Sequence, residues 1–382
     1  MATKLEETNL APVEGAGLSG GSSAEKQVPE SEAVIESTRL DPIADEKKVD
    51  DATAGVADLS VDEKPVDEEK TEAAAAVVVT PTADNTPAPV LDSTPAAPTA
   101  PASTDPTWPE TAPDHPLTLF YAAFEALVKE ASHAEVYGIE LSTSNPFHTK
   151  LVLQKFLRAN QNDLEKAKQQ LLETLKWRKE FDPVKAASDS YEKSKFDGLG
   201  YIIEVGGVPG SDNVKDVVTF NVYGAVKDNK ATFGDLDAFL RWRVGLMEKS
   251  VQHLSLASAT QPIPNFGEGA DPYQGFQVHD YLQVSFLRQD PLVKAATKKT
   301  IEVLGRYYPE TLSRKFFVNV PVIMGWLYNA MKLVIAKETV KKFTVLSYGN
   351  QLATSLGQGV PKEYGGTTAE LKEVGEGMTF TE

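Results

Sequence analysis

The chain has 382 residues, a formal net charge of −17 at pH 7 and no cysteine. The absence of cysteine excludes disulfides, thiolate catalysis, cysteine-ligated zinc and thiolate-ligated haem. Residues 1–110 contain 7 Lys/Arg and 23 Asp/Glu, so nearly all of the net charge lies there. An acidic segment of this kind argues against a nucleic-acid-binding tail, which would be basic.

The first 110 residues are predicted to form a disordered acidic tail rich in proline and alanine. Half of the 24 prolines fall in this segment, which offers little apolar surface to offset the entropy of ordering. No apolar run follows basic residues at the N-terminus, and the longest apolar stretch, residues 321–336, is shorter than the ~20 residues of a membrane span. We therefore expect neither a signal peptide nor a membrane span, and only peripheral contact with membranes.

Residues 115–185 carry apolar side chains at helical spacing and are predicted to form a small all-helical subdomain. The predicted helices cover Leu117–Ala131, about Phe147–Ala159, and a stretch from Asn162 to Phe181. Asn162 is predicted to cap the third helix, because Glu165 three residues later completes a capping box. Pro183 ends that helix.

From about residue 190 to residue 370, short β-branched or aromatic runs alternate with helices. The predicted strands are Tyr201–Val205, Val217–Tyr223, Gln277–Val284, Lys315–Val320 and Phe343–Leu346. The predicted helices are Phe233–Leu254, Pro291–Tyr307 and Val322–Lys332. This alternation is typical of an α/β fold with a mostly parallel sheet and crossover helices.

Two of these strands carry polar and aromatic side chains on one face, by the strand period of two. The residues concerned are Thr219, Asn221 and Tyr223 in one strand, and Gln277, His279, Tyr281 and Gln283 in the other. Parallel sheets are normally covered on both sides and apolar throughout. A cavity that holds a polar ligand would account for the pattern, and so would a half-exposed sheet face.

The helix predicted at Phe233–Leu254 places Arg243 within its apolar stripe, four residues from both Phe239 and Met247. A guanidinium buried there requires an anion, because an unpaired buried charge costs several kcal/mol. The candidates are a protein carboxylate such as Asp280, a carboxylate or phosphate of a ligand, or a tyrosinate.

Several motifs occur in a defined order along the chain. They are Lys155-Phe156-Leu157-Arg158-Ala159-Asn160, Trp177-Arg178, Arg306-Tyr307-Tyr308-Pro309-Glu310, Phe317-Val318-Asn319-Val320-Pro321, Thr339-Val340-Lys341-Lys342-Phe343 and Pro361-Lys362-Glu363-Tyr364-Gly365-Gly366. Together they cover roughly residues 115–367. In order and spacing they resemble the CRAL-TRIO family of fungal phosphatidylinositol-transfer proteins.

The resemblance implies the CRAL-TRIO lipid-binding fold, in which a sheet floored by helices encloses one hydrophobic ligand. A helix at about Val322–Lys337 would gate the mouth and meet the membrane surface. The resemblance also implies that Glu310 and Lys342 bind the headgroup of phosphatidylinositol. A lysine offers donors and charge to phosphate, while a carboxylate accepts from inositol hydroxyls.

The runs Arg241–Glu248 and Val278–Tyr281 resemble more specifically an atypical branch that binds haem b in its pocket. This resemblance implies that Tyr281 ligates the iron. The further pocket residues it implies are Tyr223, Arg243, His279 and Lys315. A tyrosine ligates as phenolate, and a nearby cation such as Arg243 is expected to lower its pKa from ~10.

Two segments depart from the branch pattern. Asn160 stands where the branch can carry a pocket tyrosine, which puts haem contacts from the helical subdomain in question. The loop Ala257–Gln274 has the character of an insertion, and we expect it to leave the following strand undisturbed.

Three functions are compatible with these residues. The first is a haem-binding phosphatidylinositol-transfer protein whose two ligands compete for one pocket. The second is a lipid-exchange protein without haem, and the third is a haem enzyme of peroxidase or catalase type. We expect the first and expect no enzymatic activity, because the sequence contains no nucleophile elbow, Walker loop or distal acid–base residue that we can identify. The expected location is cytoplasmic, with peripheral association with endoplasmic-reticulum or microsomal membranes.

Overall fold

The structure is a computed structural model that describes residues 106–285, 290–321 and 342–382. Most of the predicted tail and the predicted gating helix, Val322–Lys337, lie outside these ranges. Within them, no helix is both long enough and apolar enough to cross a membrane.

The first part of the described chain is mainly helical. Its elements are α1 (Pro116–Ala131), β1 (Glu135–Val136), β2 (Ile139–Glu140), α2 (Pro146–Ala159), α3 (Leu164–Phe181) and α4 (Pro183–Ser188). The prediction that Asn162 caps the third helix is wrong. The cap is Asp163, whose side chain accepts a hydrogen bond from the Lys166 amide at 3.1 Å, while Asn162 takes a left-handed conformation with φ 65°.

The second part contains the main sheet. Its elements are β3 (Ser190–Glu192), α5 (Lys193–Phe196), β4 (Gly200–Val205), β5 (Asp216–Val222), α6 (Asn229–Phe233), α7 (Leu236–His253), β6 (Gly275–Asp280), α8 (Pro291–Tyr307), β7 (Leu312–Val318), β8 (Phe343–Val345), α9 (Ala353–Leu356), α10 (Leu371–Val374) and β9 (Thr379–Thr381). The sheet has the order β4-β5-β6-β7-β8, in which β4 and β5 are antiparallel and the remaining neighbours parallel. The predicted mostly parallel α/β fold is confirmed.

The long helix predicted at Phe233–Leu254 is confirmed as α7, which begins at Leu236, whereas Phe233 is the last residue of the preceding short helix α6. The break falls at Gly234, and Asp235 then caps α7 by accepting from the Ala238 amide at 3.0 Å. A short acidic side chain at this position satisfies an amide that the helix leaves without a partner.

The strand predicted to run to Val284 ends at Asp280. The Asp280 carboxylate accepts from the Leu282 amide at 2.9 Å, which turns the chain away from the sheet. Tyr281 therefore follows the strand instead of lying within it. Tyr223, also predicted in a strand, begins a short 3₁₀ turn just after β5.

One face of the sheet is apolar and fully covered, and we call it the packed face. Its side chains from β5, β6 and β7 are buried against the C-terminal segment that contains α9 and α10. The members that define it are Val218, Phe220, Val278, Phe316 and Val318. Burial of this kind is the main source of stability in a sheet of parallel strands.

A buried ion-pair network joins the helical part to α7. Arg178 of α3 lies within 2.7 Å of both Glu248 and Glu135, and the Tyr308 hydroxyl donates to Glu248 at 2.7 Å. Burial opposes the charge of Arg178, yet Glu248 and Glu135 raise the pKa of the guanidinium above its ordinary value. The network fixes α3 against α7 because each buried charge has a partner of opposite sign.

Candidate ligand-binding site

The opposite face of the sheet is lined by polar and aromatic side chains, and we call it the polar–aromatic face. The strand register aligns its members in two rows across the sheet. These rows are Thr219, Gln277, Lys315 and Phe343, and Asn221, His279, Phe317 and Val345. The prediction of such a face from the strand period is therefore confirmed for β5 and β6.

Helix α7 covers one side of the polar–aromatic face through polar contacts. Ser250 shares a hydrogen bond with Thr219 at 2.5 Å, and Gln277 donates to the Met247 sulfur at 3.2 Å. Further along, Lys315, Phe317 and Phe343 are only half-buried. The face therefore has a closed side beneath α7 and a more open side on β7 and β8.

Arg243 projects from α7 onto this face and is 1% exposed. Its Nη2 donates to Gln277 Oε1 at 3.3 Å, while Nε and Nη1 have no hydrogen-bond partner among the described residues. Burial lowers the pKa of Arg243, and the nearby Tyr223 hydroxyl opposes that effect. A buried guanidinium with two unpaired nitrogens is the kind of group that an anionic ligand would satisfy.

Asp280, a candidate partner for Arg243, is bonded elsewhere. Its carboxylate accepts from the Tyr364 hydroxyl at 2.7 Å and from the Asn319 side chain at 2.7 Å. Asp280 alternates with His279 along β6 and so points to the packed face. The interpretation of Arg243 as half of an ion pair with Asp280 is wrong.

Two more titratable groups share the face with Arg243. The Lys315 side chain has neither a hydrogen bond nor an ion pair in the described ranges, and its Nζ lies 6.0 Å from the centre of the Phe343 ring. Burial, with a contribution from Arg243, lowers the pKa of Lys315 to about 8. Burial, Lys315 and Arg243 together lower the pKa of His279 well below its ordinary value, so the imidazole is neutral at pH 7.

The two tyrosines come together at the end of the strands. The rings of Tyr223 and Tyr281 are 5.6 Å apart, and Tyr281 lies parallel to Phe317 at 6.3 Å. Burial raises the pKa of Tyr281, and the expectation that Arg243 lowers it is wrong. The Arg243 guanidinium lies beside Tyr223, whose hydroxyl raises the pKa of Arg243 against the effect of burial.

The predicted headgroup residues Glu310 and Lys342 are also brought together, with Oε1 and Nζ 4.0 Å apart. Glu310 Oε2 accepts from Gln274 at 2.9 Å and faces Arg158 Nε at 3.4 Å. The Lys342 side chain is 39% exposed and donates to the Leu312 carbonyl at 3.2 Å. The pair thus forms a partly open cluster of opposite charges.

The headgroup pair and the tyrosines lie at opposite ends of the strands. Gln274, which contacts Glu310, immediately precedes β6, and Tyr281 immediately follows it. At 3.3 Å per residue the strand separates these ends by roughly 20 Å. The polar–aromatic face occupies the distance between them.

Asn160, at the position where the haem-binding branch can carry a pocket tyrosine, does not line the polar–aromatic face. Its side chain donates to the Phe156 carbonyl at 2.9 Å and to Gln170 at 2.7 Å, so it is bonded within the helical part. It supplies no ring or charge to the polar–aromatic face.

The loop Ala257–Gln274 leaves β6 intact but is firmly attached to α2. Arg158 donates to the carbonyls of Pro264 and Gly269 at 2.8 and 3.1 Å, and buried Lys155 pairs with Asp271 at 2.7 Å. Sequence reasoning missed this role of Lys155 and Arg158. The available signal was that both cations lie in the stretch 151–159, whose other members apart from Gln154 are all apolar.

Sequence reasoning also missed the aromatic lining on β7 and β8. Phe317 contacts His279 and Phe343 edge-on, with ring centres 5.6 and 5.5 Å apart. The strand period could have found Phe317, because it lies two residues beyond Lys315 and shares its face.

Comparison with known proteins agrees with this architecture. The CRAL/TRIO domain profile matches residues 204–366, and the CRAL/TRIO N-terminal domain profile matches residues 116–173. The chain is 65% identical over 338 residues to the phosphatidylinositol transfer protein SFH5 of Phaeosphaeria nodorum, covering 88% of this chain and 99% of that protein. It is 49% identical to the SFH5 protein of Cryptococcus neoformans over 72% of this chain and 94% of that one.

A solved structure shares the fold. The crystal structure of Sfh5 superposes with a TM-score of 0.56 at 30% identity, over 68% of this chain and 90% of that one. The fold and the profiles define a CRAL/TRIO protein. Within that class, the chain belongs to the SFH5 family of phosphatidylinositol transfer proteins.

Proposed function

We propose that this protein is a non-enzymatic carrier that binds haem b on the polar–aromatic face and transfers phosphatidylinositol between membranes. The observation that carries the haem proposal is the pair of cations, Arg243 and Lys315, that lack an anionic partner in the described ranges. Haem b presents two carboxylates, an apolar ring and an iron. The face offers two cations, aromatic side chains and a tyrosine.

Each residue has a defined role in this proposal. Arg243 and Lys315 donate to the haem carboxylates, and the half-buried rings of Phe317 and Phe343 provide apolar contact. Tyr281 holds the iron as phenolate, a ligand that haem proteins use elsewhere. Bound ferric haem would supply the Lewis acid that replaces the phenol proton.

Tyr281 must lose its proton on ligation, because burial raises its pKa in the absence of ligand. Release of this proton from the Tyr281 hydroxyl is therefore part of the equilibrium of haem binding. His279 is neutral and lies between Tyr223 and Phe317, where it can donate or accept one hydrogen bond without adding charge.

The lipid proposal rests on family membership and on the headgroup pair. Glu310 and Lys342 offer an acceptor for inositol hydroxyls and a cation for phosphate within 4.0 Å of each other. Because the pair lies roughly 20 Å from Tyr281, acyl chains would extend over the same face as the haem. We therefore propose that haem and phospholipid compete for the face, although the iron site at Tyr281 and the headgroup site at Glu310 and Lys342 lie at different ends of the strands.

We propose that the protein is cytoplasmic and that it contacts endoplasmic-reticulum or microsomal membranes peripherally and transiently. The predicted gating helix, Val322–Lys337, lies outside the described residues and is assigned no contact. The second candidate function is lipid exchange without haem, which the names of the SFH5 relatives favour.

An absorption spectrum tests the haem proposal. The full chain reconstituted with ferric haem should show a Soret band, and Tyr281→Phe should abolish or strongly shift that band. Tyr348→Phe is the matched control, because Tyr348 is 61% exposed and removal of its hydroxyl should leave the spectrum unchanged. A wild-type protein that takes up no haem would leave lipid exchange as the remaining function. An identical spectrum in Tyr281→Phe would instead exclude Tyr281 as the iron ligand.

Transfer of phosphatidylinositol between vesicles tests the headgroup site. Lys342→Ala should reduce transfer at least ~10-fold, because a charge-assisted bond to phosphate is worth about 1.5–3 kcal/mol. Lys294→Ala, which removes an exposed lysine of α8, is the control and should transfer at the wild-type rate. Equal transfer by both variants would exclude Lys342 as the phosphate ligand.

A further inference from the structure

The Lys315 amine occupies an unusual position for a lysine. It projects from β7, a central strand, into the polar–aromatic face and is half-buried without a hydrogen bond or ion pair in the described ranges. Lysines removed from water are nearly always paired with a carboxylate. Lys155 follows that rule, because its Nζ contacts Asp271 at 2.7 Å.

Among the described residues, the groups near Lys315 do not stabilise an ammonium ion. From α7 comes the Arg243 guanidinium, which repels it, and from β6 comes the neutral imidazole of His279. Asp280, the nearest carboxylate along β6, faces the other way and is bonded to Tyr364.

An amine in such surroundings is a nucleophile at neutral pH. Desolvation and an adjacent cation are the two conditions that activate lysines for attack on carbonyl carbons. With a pKa of about 8 against the ordinary 10.5, the fraction of neutral amine at pH 7 is roughly 300-fold larger than for an exposed lysine. The reactive form is thus present without any external base.

We propose that, in the haem-free protein, Lys315 captures apolar aldehydes as a covalent imine. The amine nitrogen attacks the aldehyde carbon, and a carbon–nitrogen double bond forms. The carbonyl oxygen leaves as water with the two amine protons, so no oxidant or reductant is required. This activity goes beyond the proposed carrier function and does not depend on haem binding.

The side chains around Lys315 define the class of aldehyde. Phe343 lies beside its amine, and Phe317 lies two residues further along the same face, next to Tyr281. These rings favour an aliphatic or aromatic tail over a hydroxylated one. When haem occupies the face, Lys315 is committed to a carboxylate and the amine is blocked.

Reductive trapping followed by peptide mass spectrometry tests the proposal on the full wild-type chain. Haem-free protein is incubated at pH 7 with octanal and cyanoborohydride, and the occupancy of the adduct is compared across lysines. Lys315 should be labelled at least ~10-fold faster than exposed Lys294 and Lys298, in keeping with its larger neutral fraction. With glycolaldehyde, which has no apolar tail, this preference should fall.

Two further arms complete the experiment. In the first, Lys315→Arg keeps the charge but cannot form an imine, so this variant should lose the fast-labelled site. In the second, loading the wild-type protein with haem should protect Lys315 from labelling. Labelling of Lys315 no faster than of Lys294 and Lys298 would overturn the proposal, and the mapping on wild type does not depend on the variant folding. Such a failure would leave the Soret measurement untouched, while an absent Soret band would leave the imine result standing.

Discussion

The two faces of the central sheet are built from the same strands but differ in the kinds of side chain that they bury. On the packed face, Phe220 and Phe316 are fully buried among apolar neighbours from the C-terminal segment. On the polar–aromatic face, Arg243 and Asn221 are also buried. However, Nε and Nη1 of Arg243 and Oδ1 of Asn221 have no hydrogen-bond partner within the described chain. One face stabilises the fold, while the other carries buried polar atoms that the proposed ligand would satisfy.

The largest contrast should appear when one phenylalanine is removed from each face. Phe220→Ala should lower the free energy of unfolding by about 3–5 kcal/mol, because it deletes a fully buried ring from a close-packed cluster. Phe317→Ala removes a ring that is already half-buried and should lower it by about 1–2 kcal/mol. Urea denaturation of the ligand-free proteins measures both values, and equal losses would show that the two faces are packed alike.

Much of this contrast was predictable from the sequence, because strand alternation is a local property. The alternation in β5 and β6 assigned Thr219, Asn221, Gln277 and His279 to one face, and the register confirms it. The helical spacing around Arg243 likewise indicated a buried guanidinium, which is 1% exposed.

The errors arose where a single polar side chain ends an element. The Asp280 carboxylate accepts from the Leu282 amide and ends β6 before Tyr281, although Tyr281, Leu282 and Val284 continue the aromatic and apolar pattern of a strand. Asp163 and Asp235 start their helices in the same way. These caps could have been read from the sequence, since a short acidic residue before a helix is a strong start signal.

Other features could not be predicted, because they join residues far apart in the chain. Arg178 and Glu248 are 70 residues apart and meet only when α3 packs on α7. Arg158 reaches the carbonyl of Pro264, 106 residues away. No local pattern specifies such pairs, so the anchoring of the loop at 257–274 required the structure.

A smaller effect is expected from pH. The proposed ligation of iron by the Tyr281 phenolate would release one proton, because burial raises the pKa of the ligand-free phenol. The dissociation constant for ferric haem should therefore fall about tenfold for each unit by which the pH rises between pH 6 and 7.5. Lys315, with a pKa of about 8, remains mostly protonated in this range and can still pair with a haem carboxylate. His279 stays neutral across this range because its pKa is lowered well below the ordinary value.

Spectroscopic titration at several pH values measures that slope. Tyr281→His provides the matched variant, because imidazole ligates as a neutral group and should flatten the dependence. A flat slope in the wild-type protein would argue that Tyr281 is not the ligand.

The smallest change in stability is expected at Arg243, where it is most informative. Arg243→Leu replaces an incompletely paired buried cation, so ligand-free stability should be unchanged or rise by up to about 2 kcal/mol. Arg241→Leu, two residues away on α7, should lower it by about 1 kcal/mol, because Arg241 pairs with Asp189 at 2.7 Å.

Thermal unfolding of Arg243→Leu, with and without haem, tests the central claim most directly. The claim is that the polar–aromatic face holds Arg243 buried for an anionic ligand. The predicted result is a ligand-free melting temperature at or above that of the wild type, together with loss of most of the stabilisation that haem confers. A ligand-free melting temperature several degrees lower, with haem stabilisation intact, would contradict the claim and show that Arg243 is a structural residue.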